Sequence, residues 1–251
     1  MGKTDRVYLV AGVGTGLGTA VVSTLAADGA TVIGVARSSK AFERVGAHAR
    51  TRGWKFFAET ADVWKQSEVD AMVRRVLKDH DHIDGVSINV GHWIPGETLL
   101  HKLSEDEWSA GIHDNLDPLY RVGRATLPHL IERGEGSVVV VSAAPAIRSA
   151  GSTAYHVAKG GLADVIPRLA RDYRPNGIRV NAVLPGSMGR GIVELDPPAA
   201  DAPIPLTDAT PTSPWEVARA IRYLLSDESR WVTGALVVVD GGLTTGGKEP
   251  G

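Results

Sequence analysis

Residues 138–159 read VVVVSAAPAIRSAGSTAYHVAK, and this stretch decides the fold. Its four valines predict a strand that is buried on both faces, as a parallel sheet requires. Ser142 follows that strand, at the edge where open α/β sheets place their ligands. After a Gly and Ser turn, residues 153–171 predict a helix in which Tyr155 and Lys159, four residues apart, share one face. Three polar groups are therefore expected to converge at the carboxyl end of one strand.

A tyrosine with a lysine one helical turn away can serve as an acid and a base. A free phenol titrates near pH ~10, so a neighbouring cation must favour its ionised form by several kcal/mol to make it useful near neutrality. Lys159 is such a cation. An isolated match of this kind is more often a packed tyrosine beside a solvated lysine, so the assignment depends on the rest of the chain.

Composition predicts one α/β domain over residues 1–251. With 43% hydrophobic residues the chain can bury one sizeable core. A net charge of -2, with acidic and basic residues interspersed, offers no basic face for nucleic acid and no patch for a membrane. The chain contains no cysteine, which excludes disulfides and thiol catalysis and fits a reducing compartment. Without a signal peptide or an apolar run of ~18 residues, a cytoplasmic protein is expected.

A glycine-rich turn follows the first predicted strand, residues 6–11. The sequence AGVGTGLG does not fit GxGxxG, but it fits GxxxGxG from Gly12 through Gly16 to Gly18. Such glycines allow a tight turn, a close approach of backbone to phosphate, and packing of helix on strand. Strand, turn and helix amino terminus together favour a dinucleotide pyrophosphate, and a purely structural turn is the alternative.

The second predicted strand, residues 31–36, ends in ARSSK. Folds that bind NAD usually carry an acidic residue near this position, and here Arg37 and Ser38 stand instead. A guanidinium and a hydroxyl suit a ribose 2′-phosphate, so NADP(H) is favoured over NAD(H). The alternative is an exposed arginine that starts a loop.

Strands and helices alternate along the remaining chain, which predicts a doubly wound, Rossmann-like parallel sheet of seven strands with helices on both faces. Further strands are expected at residues 54–58, 84–90, 178–184 and 235–239, and a helix at 66–78. The capping box SEDE at Ser104 opens a long helix that Asp117 and Pro118 should interrupt, and a second box at Ser213 opens the last helix. Residues 187–212, rich in Pro, Ala and Asp, are expected to form a mobile lid.

Several of these motifs resemble those of the short-chain dehydrogenase/reductase family, of the single-domain carbonyl reductase or 3-oxoacyl reductase type, over essentially the whole chain. The family's TGxxxGxG turn stands here with Ala11 in place of the threonine, and only Asn89 and Gly91 of its NNAG motif remain. Its Ser followed thirteen residues later by YxxxK is matched by Ser142, Tyr155 and Lys159.

Three weaker matches complete the resemblance. The family's helical Asn corresponds to Asn115, and its Asp and Val near adenine correspond to Asp62 and Val63. Its PG motif stands here at residues 185 and 186. The threonine that usually follows is absent, and Arg190 occupies about that place, which leaves the contact to the nicotinamide amide open.

The resemblance implies hydride transfer between a nicotinamide and a carbonyl or its alcohol. Tyr155 would donate the proton, and Lys159 would lower the pKa of Tyr155 and hold the nicotinamide ribose. Ser142 would bind the carbonyl oxygen, and Asn115 would position a water that links Lys159 to solvent. No metal is required. The alternatives are an NAD-dependent alcohol or sugar dehydrogenase and a nucleotide-binding protein without turnover.

The same resemblance implies a set of contacts. The expected cofactor-binding residues are Gly12, Thr15, Gly16, Leu17, Gly18, Arg37, Ser38, Asp62, Val63, Asn89, Gly91, Tyr155, Lys159, Pro185, Gly186 and Met188. The expected substrate-binding residues are His92, Trp93, Ser142, Ile147, Arg148 and Tyr155. The family usually forms homotetramers through the helices after Asp117 and after Ser152, so a homo-oligomer, tetramer or dimer, is expected.

Overall fold

The computed structural model describes residues 6–189, 191–199 and 211–246. Within these ranges, seven parallel strands form one sheet in the order β3-β2-β1-β4-β5-β6-β7, which confirms the predicted fold class. The strands are β1 Val7–Ala11, β2 Thr31–Ala36, β3 Phe56–Thr60, β4 Gly85–Ile88, β5 Gly136–Val141, β6 Ile178–Pro185 and β7 Leu236–Val239. The helices are α1 Leu17–Ala27, α2 Glu43–Arg52, α3 Gln66–His80, α4 Glu105–Arg133, α5 Pro145–Ala150, α6 Thr153–Tyr173 and α7 Pro214–Leu225. Short 3₁₀ helices lie at Ser39–Phe42, Leu100–Lys102, Arg174–Asn176, Asp227–Ser229 and Leu243–Thr245.

Two hydrophobic cores lie on opposite faces of the sheet. Successive side chains of a strand point to opposite faces, so Leu9 of β1 enters the core with α3, α4 and α6, whereas Val10 enters the core with α1 and α7. Every residue of β1 is buried, as expected of a central strand covered by helices on both sides. None of the helices in the described ranges combines the length and the hydropathy needed to cross a bilayer.

Of the seven strands only β2 keeps its predicted bounds; the others shift by one or two residues at an end, and β3 and β4 shift most. Strand β3 begins at Phe56, because its ladder with β2 starts where Val32 pairs with Phe56, two residues later than the apolar run suggested. Strand β4 ends at Ile88, since its ladders with β1 and β5 both stop there. Asn89 is the last residue of this segment that bonds to β1, through its N–H to the Ala11 carbonyl at 2.9 Å. The segment from Asn89 onward is therefore free to form the loop that lines the site.

Helix α4 corrects a second prediction, because it passes through Asp117 and Pro118 without interruption. A proline removes one backbone hydrogen bond of a helix, and here packing of α4 between α3 and α6 outweighs that loss. The capping box at Ser104 is confirmed by both of its hydrogen bonds. The second box is wrong: Ser213 accepts a hydrogen bond from the Trp215 N–H, but Glu216 binds Arg219 instead of the cap backbone.

The packing of Gly18 generates a testable prediction. A Cβ atom at this position would overlap the Gly12 carbonyl oxygen and lie 2.7 Å from Val13 Cα, and neither backbone atom can move without opening the turn. We expect Gly18→Ala to lower the free energy of unfolding by about 1–3 kcal/mol, with a loss in Tm of roughly 2–4 °C for each kcal/mol.

Gly14→Ala is the matched control, because a Cβ atom there would meet nothing within 4 Å. Calorimetric unfolding of the three proteins measures the difference. Equal Tm values for Gly18→Ala and the native chain would contradict the close approach of α1 to β1.

Candidate active site

Ser142 stands immediately after β5 and is buried. Its N–H extends the ladder to the Val183 carbonyl at 2.9 Å, which fixes the residue at the carboxyl edge of the sheet. The hydroxyl donates to the backbone carbonyl of Lys159 at 2.6 Å. Ser142 therefore ties β5 to α6, and its hydroxyl needs only to rotate about the Cα–Cβ bond to reach the adjoining cavity.

Tyr155 lies in the first turn of α6. Ser152 caps this helix, because its hydroxyl accepts the Tyr155 N–H at 3.2 Å. Gly151 packs against the phenol ring, where a side chain would overlap it. The Trp93 ring approaches edge-on, with 4.9 Å between the ring centroids and an interplanar angle of 75°. The loop after β4 is tied to this turn, because the Ile94 carbonyl accepts the Ser152 N–H at 2.9 Å. The phenol is thus held on two sides by loops from distant parts of the chain.

Lys159 is a buried cation behind the tyrosine. Its ammonium group donates to the Val141 carbonyl at 3.3 Å, and a Cβ atom on Gly91 would lie 2.6 Å from Nζ. Burial lowers the pKa of Lys159 to about 8, because the charged ammonium loses solvent. Burial also raises the pKa of Tyr155 to about 12. The sequence suggested that Lys159 would lower the pKa of Tyr155, whereas in this chain desolvation of the phenol dominates.

Asn115 is buried in the middle of α4 and acts on the loop after β4. Its Oδ1 accepts the His92 N–H at 3.0 Å, and its Nδ2 donates to the carbonyls of His92 at 3.0 Å and Gly111 at 3.1 Å. Both amide hydrogens are engaged, so the side chain holds the loop that carries Gly91. That Asn115 also positions a water stays a prediction.

The glycine turn after β1 fits a dinucleotide. Gly12 has a φ of +95°, and a Cβ atom there would lie 2.9 Å from Val90 Cγ2, so only glycine fits. A Cβ atom on Gly14 or Gly16 would meet nothing within 4 Å, which leaves the backbone at the start of α1 open to a phosphate. Beside the turn, Asn89 accepts a hydrogen bond from Ser87 and keeps a buried Nδ2 without a partner in the described residues. An unpaired buried amide donor is costly unless a ligand satisfies it.

The residues expected near the adenosine lie after β2 and β3. Arg37 is exposed and lies over the Trp64 ring, with 5.0 Å from its guanidinium carbon to the ring centroid. Ser38 caps the following 3₁₀ helix by accepting the Lys40 N–H at 3.3 Å. Asp62 accepts the Trp64 N–H at 3.1 Å, and Val63 is buried in the core.

The expected lid segment, so far as it is described at residues 187–189, 191–199 and 211–212, crosses the glycine turn. The Val193 N–H donates to the Thr15 carbonyl at 3.0 Å, and Arg44 of α2 donates to the Val193 carbonyl at 3.3 Å. Asp196 pairs with His48 at 2.8 Å and with Arg52 at 2.6 Å, both on α2. Leu17 and Met188 both pack against the core shared by α1 and α7. Arg190 lies outside the described residues.

A cavity of about 340 Å³ lies between Ser142, Tyr155 and the segment after β6, and of the four predicted catalytic residues it is lined by these two alone. It brings together the predicted residues Trp93, Ser142, Ile147, Tyr155, Pro185, Gly186 and Met188. Ala143, Ala150 and Ser187 also line it and were not predicted, because small side chains carry no chemical signal. Two predicted substrate residues, His92 and Arg148, do not line the cavity. His92 is exposed. The Arg148 side chain extends from α5 to α6, where a Cβ atom on Gly160 would be 3.7 Å from its guanidinium.

The known proteins that are similar to this chain are described as reductases or dehydrogenases. A family model described as Enoyl-(Acyl carrier protein) reductase matches residues 12–244. The 3-oxoacyl-[acyl-carrier-protein] reductase FabG of Thermotoga maritima is 32% identical over 95% of this chain and 97% of its own. Cis-4-hydroxycyclohexanecarboxylate dehydrogenase of Sinomonas cyclohexanicum is also 32% identical, over 96% and 97%. The crystal structure of a 3-ketoacyl-ACP reductase from Sinorhizobium meliloti has a TM-score of 0.83 at 31% identity, covering 96% and 99%.

Burial of Lys159 generates a prediction for stability. Since the pKa of Lys159 falls from 10.5 to about 8 on folding, the unfolded chain binds more protons between about pH 8 and 10.5, and stability from this group rises with pH across that window. Below pH 8 Lys159 is charged in both states, and its burial then lowers the free energy of unfolding by the full amount, on the order of 3 kcal/mol. We therefore expect Lys159→Met to raise the free energy of unfolding at pH 7.

Urea unfolding of both proteins at pH 7 and pH 9.5 measures this effect, with Lys102→Met, at an exposed position, as the control for losing a lysine. The advantage of Lys159→Met over the native chain should shrink at the higher pH. A variant that is less stable than the native chain at pH 7 would show that the ammonium is well solvated or paired.

Proposed function

This chain belongs to the short-chain dehydrogenase/reductase family, and we propose that it reduces a ketone to a secondary alcohol with NADPH. Membership makes it an NAD(P)-dependent oxidoreductase that acts on CH–OH or C=O groups. The observation that carries the finer proposal is the convergence of Ser142 and Tyr155 on one cavity, with Lys159 buried behind them. A chain of 251 residues without cysteine is compatible with the cytoplasmic location that we propose for it.

A protonated Tyr155 can serve as the proton donor that reduction of a carbonyl requires. With a pKa of about 12, the phenol is protonated near neutrality and holds the proton that a carbonyl oxygen needs. The bound coenzyme supplies the hydride to the carbonyl carbon. Ser142, once rotated from the Lys159 carbonyl, donates a hydrogen bond to the developing oxyanion. Lys159, still largely cationic at pH 7, stabilises the phenolate that proton transfer leaves.

The cavity supports a compact, apolar substrate. Its volume is near the lower end of the roughly 300–1,000 Å³ that ligand sites occupy. Its lining includes the apolar side chains of Trp93, Ile147 and Met188, and no Lys or Arg among the described residues lines it to hold a carboxylate. Rates measured by nicotinamide absorbance with cyclic ketones, diketones, acyl thioesters and sugars test this choice, and we expect cyclic or short ketones to react fastest.

Replacement of the proton donor tests the mechanism. Tyr155→Phe keeps the ring that Trp93 and Gly151 contact and removes only the hydroxyl, so we expect turnover to fall by several orders of magnitude with coenzyme affinity nearly unchanged. Tyr223→Phe, at a partly exposed tyrosine of α7, is the matched control and should be fully active. Retention of a tenth or more of the native turnover in Tyr155→Phe, with hydride transfer limiting, would refute the assigned acid.

Coenzyme preference tests the assignment of Arg37. We expect kcat/KM to be higher with NADPH than with NADH, because a charge-assisted hydrogen bond is worth roughly 1.5–3 kcal/mol, or about tenfold to a hundredfold. Arg37→Asp should reverse the ratio by repelling the 2′-phosphate. Lys78→Asp makes the same charge change at an exposed position of α3 and should leave the ratio of kcat/KM values unaltered. A native ratio below one would assign the chain to NADH and leave the reductase proposal standing.

Helices α4 and α6 support an assembly of identical subunits, tetramer or dimer. Their outer faces form a groove of about 730 Å³, and its lining is largely apolar. Its members are Leu116, Leu119, Tyr120, Gly123, Arg124, Leu127, Pro128, Ile131, Val138, Gly161, Val165, Leu169, Tyr173 and Val180. Tyr120 is 58% exposed there, and an exposed apolar surface of this extent is typical of an interface.

Light scattering at micromolar concentration tests the assembly. We expect a mass of two or four subunits for the native chain and a lower mass for Ile131→Glu, at a groove residue that is 40% exposed, because a carboxylate in an apolar interface loses solvent without gaining a partner. Trp231→Glu changes an aromatic residue that is 96% exposed elsewhere on the chain, and it should keep the native mass. A native mass of one subunit would contradict the proposal.

A further inference from the structure

We propose that Trp64 is a positioning residue that gives the site its preference for a coenzyme with a 2′-phosphate, by presenting its indole face to the Arg37 guanidinium. The inference rests on the proposed use of NADPH and deepens it, because it assigns the preference to a pair of residues. Trp64 itself makes no contact with the phosphate in this proposal. It fixes the orientation of the cation that does.

The order of the strands places the pair at the adenosine end of the site. Strand β1, which leads into the glycine turn, lies between β4 and β2, and β3 lies beyond β2. Tyr155 and Ser142 are on the β5 side of the turn. A dinucleotide with its pyrophosphate at the turn and its nicotinamide near Tyr155 therefore extends its adenosine toward β2 and β3. Since Ala36 pairs with Thr60, the loops that follow these two strands leave the sheet side by side.

Trp64 is fixed by core packing and by a hydrogen bond of its backbone. The residue is half-buried and packs against the core formed with α3 and α4. Its backbone N–H donates to the Asp62 carboxylate at 3.1 Å, which fixes the turn that carries it. Its indole Nε1 is buried without a partner in the described residues, at a cost that a phenylalanine would avoid. The larger and more electron-rich indole face, however, is the surface that a guanidinium prefers.

Arg37 lacks other partners that could fix it. In the part of the chain that the structure describes, no carboxylate or carbonyl binds its guanidinium, whose carbon lies 5.0 Å from the centroid of the Trp64 ring. A long exposed side chain loses conformational freedom when it binds a ligand. Stacking on a fixed ring removes part of that freedom beforehand. It also leaves the N–H groups at the edge of the guanidinium plane free for two phosphate oxygens.

A direct contact of Trp64 with adenine is the competing explanation, and it makes a different prediction. A tryptophan that contacted adenine would strengthen every adenine nucleotide alike. A tryptophan that orients Arg37 strengthens only those with a 2′-phosphate. The two roles therefore separate in the ratio of two affinities, and neither affinity requires catalysis.

Titration calorimetry with adenosine 5′-monophosphate and adenosine 2′,5′-bisphosphate measures that ratio on the full chain. We expect the native chain to bind the bisphosphate about tenfold to a hundredfold more tightly. Trp64→Leu should reduce this preference at least threefold while changing affinity for the monophosphate less than twofold, and Trp64→Phe should give an intermediate ratio. In an Arg37→Leu background, Trp64→Leu should change the ratio no further.

Trp54→Leu is the matched control, because it also removes a partly buried indole. Trp54 precedes β3, roughly 16 Å of strand away from the loop of Trp64, and packs against the opposite core. An unchanged ratio in Trp64→Leu, or an equal loss for both nucleotides, would overturn the proposal, as would the same loss with Arg37 absent. Should Trp64→Leu fail to fold, the ratio in Trp64→Phe decides by the same criteria.

The outcomes also separate this proposal from the proposed function. A native chain without preference for the bisphosphate would overturn both the NADPH assignment and the role of Trp64, yet leave reduction with NADH intact. A native preference that Trp64→Leu retains would overturn the role of Trp64 alone. Loss of activity in Tyr155→Phe is independent of both results, because neither nucleotide reaches the catalytic tyrosine.

Discussion

The burial of Lys159 is the constraint on which the site depends. The ammonium lies behind the carboxyl edge of the sheet, and its recorded hydrogen bond is to one backbone carbonyl, that of Val141. Every neighbouring element is shaped around it: residue 91 must be glycine to leave room for Nζ, Asn115 holds the loop that contains this glycine, and Ser142 bonds the Lys159 carbonyl. Strand β5, helix α6 and the loop after β4 thus meet at one cation. Burial of this cation lowers the stability of the folded chain, because the ammonium loses its solvation.

A second buried charge, Asp84, lies at the amino edge of the sheet and is hydrogen-bonded differently from Lys159. Asp84, just before β4, is also buried, but it accepts hydrogen bonds from the Val7 N–H at 2.7 Å and from Arg6 and Arg133 at 3.1 Å each. Its charge is compensated from three directions, so the group acts as a structural tie between β1, β4 and α4. No carboxylate among the described residues pairs with Lys159. The buried carboxylate at the amino edge of the sheet is thus paired within the protein, whereas the buried ammonium at the carboxyl edge bonds one backbone carbonyl.

Sequence could predict the features that local pattern determines and missed those that packing determines. The apolar runs of β1 and β5 identify strands because both faces are buried, whereas α2 buries only Val45 and Ala49 and has no apolar stripe to detect. The uninterrupted course of α4 depends on its neighbours. In the site, Ser142 and Tyr155 are found by their chemistry. The raised pKa of Tyr155 could not be, because it arises from burial. Trp93 was expected near the substrate, but its edge contact with the Tyr155 ring depends on the packing of the loop after β4 and has no signal in the sequence.

The glycine turn shows most clearly how one short segment meets several demands at once. Below it, Gly18 lets α1 pack on the turn itself, and beside it Gly12 makes room for Val90. Above it, the Thr15 carbonyl accepts the Val193 N–H of the segment after β6, which α2 holds in turn through Arg44. The carbonyls of Thr15, Gly14 and Gly16 are therefore occupied by protein, since Thr19 donates to Gly14 and Ala20 donates to Gly16, while the space where a Cβ atom on Gly14 or Gly16 would stand is open. Because N–H groups rather than carbonyls bind phosphate, this division lets one turn anchor the covering segment and still offer its donors to a dinucleotide.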